Sequence, residues 1–212
     1  ESALTHKDNI TNKWYCCSAH FLWVGNRTRS IEESHIEFLR GINNPIGVKI
    51  SSSMKPTELI EICNKLNPDN EKGRLTLISR MGAKKINDYL PQLIDSIKSN
   101  GLNVLWMCDP MHGNTYKLKS GYKTRDFDTI LNELESFFNI HNQLNTIPGG
   151  IHLEFTGEHV TECLGGTDNI IDNDLENQYD TACDPRLNVN QSLELAYRIT
   201  KLLIKNKEKN NG

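Results

Sequence analysis

Five short apolar runs, set apart by stretches of helical periodicity, restrict what this chain can fold into. They are "SAHFLWVG" (18–25), "PIGVKIS" (45–51), "RLTLISRM" (74–81), "NVLWMCD" (103–109) and "GIHLEFT" (150–156). Each is too short for a helix and rich in Val, Ile, Leu and aromatics, the signature of a buried strand. Between and after them, apolar residues recur every three or four positions. Leu59, Cys63 and Leu66 follow Pro56 and stop at Asn67-Pro68; Ile86, Leu90, Leu93 and Ile97 stop at Gly101. Phe127, Ile130, Leu131, Leu134, Phe137 and Phe138 mark a third helix. Leu193, Leu195, Ile199, Leu202 and Leu203 mark a last one, before a polar tail expected to fray over 205–212. Alternating strand and helix predict an α/β fold with a parallel sheet and helical crossovers. A closed (β/α)8 barrel needs eight such units and roughly 250 residues. With five strands in 212 residues, the chain is either a complete open sheet or the later part of a barrel.

Charge and composition narrow the partners. Lys and Arg number 24 against 27 acidic residues, a net charge of −3, so no nucleic-acid or membrane surface is expected. No stretch approaches the roughly 18 uninterrupted apolar residues of a membrane span. The six cysteines form no CxxC pair and read as reduced thiols of an intracellular protein.

Chemistry in parallel βα proteins gathers at the carboxyl ends of strands. The first strand ends in "GNRTR" with Arg27, the second places Lys49 inside "VKIS", and the third ends in "ISRM" with Arg80. Each cation taken alone reads equally well as a salt-bridged or solvated residue. At corresponding places in three consecutive units they should converge on one mouth, and burying three cations is costly unless an anion lies among them. Phosphate or carboxylate recognition is the economical explanation. The fourth run ends in "CDPMH" with His112, the fifth carries Glu154 between Leu153 and Phe155, and "TACDPRLN" carries Asp184. One imidazole and two carboxylates can bind a divalent metal of the Mn/Fe/Co/Zn kind. Spacing alone favours the plainer reading for His112, a turn residue, and Asp184 also suits a turn cap before Pro185.

The same residues carry a resemblance. "WVGNRTR", "NPIGVKI", "NPDNEKGRLTLISRMGA", "WMCDPMHGNT", "GYKTRDFD", "PGGIHLEFTGEHVTECLGG" and "TACDPRLNVNQSLELAY" resemble, in order, the type II (plant-like) 3-deoxy-D-arabino-heptulosonate-7-phosphate (DAHP) synthases, from about Ser2 to Leu203. The resemblance implies a (β/α)8 barrel of which this chain supplies about the last five units, as one partial domain over 1–212. It implies condensation of phosphoenolpyruvate with erythrose 4-phosphate, the first step of the shikimate pathway. Asn26, Arg27, Lys49 and Arg80 would bind phosphoenolpyruvate, while His112, Glu154 and Asp184 would be three of four ligands to a divalent metal, Mn²⁺ or Co²⁺. Lys49, Arg80 and His112 would stand closest to the chemistry, with Trp23 lining the mouth and Lys123 nearby.

Two departures accompany it. Asn26 stands where the family commonly has Glu, which serves if only the backbone N–H is used and does not if a carboxylate positions the attacking water. The family's fourth ligand, an early Cys, and its upstream Arg and Lys-Pro-Arg have no counterpart here. The expected parent is a cytoplasmic homo-oligomer, a plastid location staying open, and the fragment alone is expected to be inactive without that upstream part. Two other readings stand beside this one: a non-catalytic paralogue acting as an anion-binding module, and another aldol-type enzyme using phosphoenolpyruvate.

Overall fold

The computed structural model describes Ser2–Asn210; Asn211 and Gly212, the end of the expected fraying tail, lie outside the described residues. The chain divides into two compact units. The first runs to Arg80 and adds Asp88–Cys108 and Pro148–Gly150; the second comprises Met81–Asn87, Asp109–Ile147 and the residues from Ile151 onward.

The first unit opens with an antiparallel hairpin, β1 (Thr5–Lys7) and β2 (Trp14–Cys16), which the apolar pattern did not announce. Then come β3 (Leu22–Val24), α1 (Ser34–Gly41), β4 (Ile46–Ile50), α2 (Pro56–Leu66), β5 (Leu75–Ser79), α3 (Ile86–Ser99, belonging to this unit from Asp88 on) and β6 (Leu105–Cys108). β3 to β6 pair in parallel and in sequence order. Every residue of β4 and β5 is buried, which explains why these two runs read as continuous apolar stretches. Fully burying such a Leu or Ile is worth about 1.5–3 kcal/mol. In α2, Pro56 supplies the first turn and Leu59, Ile62, Cys63 and Leu66 form the buried stripe. Gly47 is required by close approach: a Cβ there would lie 2.8 Å from Phe21 and 3.0 Å from Ile78.

The second unit carries a short hairpin, β7 (Tyr116–Lys117) and β8 (Lys123–Thr124), followed by α4 (Phe127–Gln143). Asp126 caps α4, accepting from the Thr129 N–H at 2.9 Å. Here too is α5 (Val189–Asn210), whose backbone stays helical well into the segment expected to fray.

β9 (Gly150–Ile151) completes a five-stranded sheet of order β3-β4-β5-β6-β9. The architecture is α/β, and its strand order follows the sequence without the reversal that marks doubly wound sheets, as in a (β/α)8 barrel. The fifth expected strand, 150–156, is corrected: only its first two residues form strand, and Glu154 lies beyond it. Phe155 instead makes an isolated parallel bridge to Leu187. Leu153 and Phe155 mimic strand alternation, but Phe155 is 61% exposed and packs no core face.

Candidate metal centre and its surroundings

Asp109, Pro110 and Met111 lead from β6 into a single turn of 3₁₀ helix, His112–Asn114. Asp109 is completely buried, and its Oδ1 accepts from the backbone N–H of Met111 and of His112, both at 3.1 Å. Its Oδ2 then meets His112 Nδ1 at 2.7 Å. The "DPMH" spacing thus folds the carboxylate back onto the imidazole three residues on. With Nδ1 tied to Asp109, the other ring nitrogen is aimed away from the backbone.

That nitrogen, Nε2, lies 3.1 Å from Glu154 Oε1 and 4.0 Å from Asp184 Oδ2. One ligand atom from each of His112, Glu154 and Asp184 falls within 4.8 Å of the others. The structure therefore brings together the three residues that spacing alone left scattered. Donor chemistry and distances fit a divalent ion: one imidazole nitrogen and two carboxylate oxygens, close enough to share one ion at bonds of about 2.1 Å. A carboxylate behind the imidazole is the usual outer partner of a metal-bound His.

Each carboxylate also faces a cation. Glu154 Oε2 lies 2.6 Å from Arg125 Nη1, and Asp184 Oδ1 lies 3.1 Å from Lys123 Nζ. Arg125 is wholly buried; it donates from Nε to Thr115 Oγ1 at 2.7 Å and from Nη1 to the Pro185 carbonyl. Hydrogen bonds to Asp109 and Glu154 raise the His112 pKa to about 9, against the opposing effect of burial. Burial pushes the Glu154 carboxyl up, but His112 and Arg125 together outweigh it and hold the group below its ordinary value. Three carboxylates, Asp109, Glu154 and Asp184, thus share the neighbourhood of His112, Lys123 and Arg125. A cleft of about 370 Å³ opens beside it, lined by Leu153, Glu154, Phe155, Thr181, Cys183, Asp184 and Arg186.

The expected anion-binding residues all lie in the first unit, at the carboxyl ends of three adjacent strands. Lys49, only 4% exposed, faces the Trp23 ring at 5.9 Å. The Arg80 N–H donates to the Ile50 carbonyl at 2.8 Å, continuing the β4–β5 ladder. Arg27 is exposed in the turn after β3, whereas its neighbour Arg29 is buried and paired with Glu58 at 3.3 Å. Asn26 is half-buried, and its backbone carbonyl accepts from Arg29 Nη1 at 2.8 Å.

The sequence pairs Asp109 with His112 at the end of the fourth run without giving it a role, and it does not single out Arg125, Glu133 or Glu162. Asp109 was within reach, three residues before the His. Glu133 lies on the apolar stripe of α4 beside Ile130, Leu134 and Phe137, where a charge needs a reason. It is fully buried and accepts from the N–H groups of Met81 (3.0 Å) and Gly82 (2.9 Å) and from Asn114 Nδ2 (2.7 Å). All six cysteines are free thiols.

The chain is similar to known proteins over most of its length. The family model described as the class-II DAHP synthetase family matches residues 1–200. The chain is 52% identical over 191 residues to phospho-2-dehydro-3-deoxyheptonate aldolase AroG of Mycolicibacterium smegmatis, covering 90% of this chain and 41% of that protein. It is 50% identical over 202 residues to phospho-2-dehydro-3-deoxyheptonate aldolase of Streptomyces coelicolor, covering 95% and 45%. It thus spans less than half the length of these curated relatives. Among solved structures, phospho-2-dehydro-3-deoxyheptonate aldolase from Francisella tularensis SCHU S4 shares the fold, with a TM-score of 0.54 at 15% identity over 87% of this chain and 55% of that one. A match across nearly the whole chain, joined to half-identity with two curated relatives, shows that the chain belongs to the class-II DAHP synthetase family.

Proposed function

We propose that this chain is the metal-binding and phosphoenolpyruvate-binding portion of a longer 3-deoxy-7-phosphoheptulonate synthase. That enzyme joins phosphoenolpyruvate to erythrose 4-phosphate and releases DAHP and inorganic phosphate. The observation that carries the reading is the convergence of His112, Glu154 and Asp184, with Asp109 behind the imidazole, in a member of this family. His112 Nε2 and one oxygen each from Glu154 and Asp184 would hold the ion, for which Mn²⁺ or Co²⁺ suits the mixed nitrogen and oxygen donors. Once bound, it supplies Lewis acidity toward an aldehyde oxygen.

The chain's own residues do the rest. Arg27, Lys49 and Arg80 bind the phosphate and carboxylate of phosphoenolpyruvate, the guanidinium groups gripping two oxygens at once. Asn26 adds its backbone to that grip. Asp109 keeps the His112 ring in one orientation. C3 of phosphoenolpyruvate forms the new C–C bond to the aldehyde carbon, water adds at C2, and phosphate leaves with its charge stabilised by the same cations. Lys49 is our candidate for the proton delivered to the nascent hydroxyl.

The test is phosphate release by the longer protein supplied with both substrates. We expect turnover that chelation abolishes and Mn²⁺ restores, a loss of at least about 10³-fold in His112→Ala, and none from residues 1–212 alone. Turnover indifferent to chelation, or no turnover by the longer protein, would sink the proposal.

A further inference from the structure

The segment that carries Asp184, residues 180–186, has no helix or strand of its own. A ligand on such a loop is only as well placed as the contacts that fix the loop. Those contacts converge on Glu162, a fully buried carboxylate in the "VTEC" stretch between buried Val160 and Cys163. Its Oε1 accepts from the backbone N–H groups of Asp180 (3.2 Å) and Thr181 (2.9 Å) and from Arg186 Nη2 (2.6 Å). Its Oε2 accepts from Arg186 N (2.7 Å) and Nε (3.0 Å). One side chain thus grips both ends of the loop. Thr181 Oγ1 closes it from within, donating to the Asp184 carbonyl at 2.8 Å and accepting from Cys183 N–H at 3.2 Å.

A buried carboxylate is costly unless its lone pairs are filled and its charge is countered. Five donors, two of them from a guanidinium, meet both conditions here. An amide offers one acceptor atom where this site uses two, and its NH₂ group would oppose the Arg186 N–H groups. The placement thus needs a carboxylate.

We propose that Glu162 is a positioning residue: it holds loop 180–186 in the conformation that aims Asp184 at His112 and Glu154, and so sets the affinity of the centre for a divalent ion. This rests on the reading of that cluster as a metal site. Glu162 acts through the backbone of the loop, and the Arg186 guanidinium is the second half of the device.

The experiment titrates the longer protein with Mn²⁺ alone, following free Mn²⁺ by electron paramagnetic resonance, for the parent sequence, Glu162→Gln and Arg186→Gln. Phosphoenolpyruvate affinity is measured on the same samples. Glu162→Gln should weaken Mn²⁺ binding 10- to 100-fold, the usual effect of losing an outer partner of a ligand. Arg186→Gln, which leaves the three backbone bonds intact, should weaken it less, about 3- to 10-fold. Phosphoenolpyruvate affinity should stay within about twofold in both, and excess Mn²⁺ should restore most of the turnover of Glu162→Gln, which a merely structural role would not allow. The proposal is overturned if Mn²⁺ affinity is unchanged in both variants, if Mn²⁺ and phosphoenolpyruvate affinities fall together, or if neither variant folds. A parent sequence that binds no Mn²⁺ overturns the metal reading as well; a parent that binds it beside variants that bind equally well overturns this inference alone.

Discussion

Glu133 offers a quantitative test of how the second unit is held together. Its carboxylate joins the Met81–Gly82 backbone to the Asn114 side chain, and burial pushes its pKa from 4.5 up to about 7 despite those three N–H donors. A folded-state value above the unfolded one means the native protein keeps a proton that the unfolded chain has released. Stability from this group is therefore full below pH 4.5 and is lost as the pH rises through 7. At roughly 1–1.5 kcal/mol for each unit between the two values, the loss from pH 5 to pH 8 is on the order of 2–3 kcal/mol. Glu133→Gln abolishes the titration at a cost of its own. One amide oxygen can still serve Met81 and Gly82, but the amide NH₂ then meets Asn114 Nδ2, a donor against a donor, at about 1–3 kcal/mol. Asn114 cannot flip freely to relieve this, because its Oδ1 accepts from Ala83 N–H and its Nδ2 donates to the Pro110 carbonyl. The variant should be distinctly less stable than the parent at pH 5 and nearly equal to it at pH 8. Urea unfolding of the longer protein in chelator at pH 5, 6, 7 and 8 measures this, since other titrating groups cancel in the comparison. A stability gap constant to within about 0.5 kcal/mol over that range would refute the reasoning, because it would mean the three donors keep Glu133 ionised throughout.

Other outcomes follow from the charges around His112. With the His112 pKa at about 9, an ion binding through Nε2 must displace a proton, so Mn²⁺ affinity should rise about tenfold per pH unit from pH 7 toward 9 and then level off; calorimetry in buffers of different ionisation enthalpy should count close to one proton released at pH 7.5. In the ion-free protein, the same raised value stabilises the fold fully below pH 6.5, and that contribution disappears as the pH climbs through 9. Arg125→Met should cost about 3–5 kcal/mol in unfolding experiments, since it strips a wholly buried cation from Glu154; a cost below about 1 kcal/mol would contradict the pairing. Lys123→Ala should tighten Mn²⁺ binding several-fold by removing a cation 3.1 Å from Asp184, and weaker binding would argue against that pairing. Gly149→Ala should cost about 1–3 kcal/mol, because its Cβ would meet the Trp106 carbonyl at 2.9 Å and the Leu105 side chain closer still.

How much of this was legible depended on whether burial leaves a trace in residue type. β4 and β5 are buried on both faces, so "IGVKI" and "LTLIS" announce themselves. The α/β class follows from the rhythm of such runs, whereas the strand order, which separates an open sheet from part of a barrel, does not. The β1–β2 hairpin left no trace because its larger apolar residues, Ile10 and Trp14, are exposed and do not alternate. Helix α1 was hidden by its length: Ile36 and Leu39 are its buried residues, too few to define a period. His112 and Glu154 could be nominated from the fourth and fifth runs and Asp184 from the motif beyond them, but distance along the chain says nothing of an Nε2–Oε1 separation of 3.1 Å. Buried charges were the hardest. A Glu or an Arg normally signals solvent, so Arg125 and Glu162 do not stand out even inside motifs that carry the resemblance, and Asp109 stands out only as the carboxylate beside His112.

The short segment from Lys123 to Asp126 has one more consequence. Lys123 offsets Asp184, Arg125 offsets Glu154, and Asp126 starts α4. Two resident cations therefore do, for the folding chain, part of what a divalent ion would do for its ligands. Small zinc domains have no such stand-ins and fall apart when the ion is withdrawn. Here loss of the ion should leave the fold standing and the ligands near their places. An ion held by His112, Glu154 and Asp184 would then be an exchangeable part, removable by a chelator and replaceable from the surrounding divalent pool with no refolding in between.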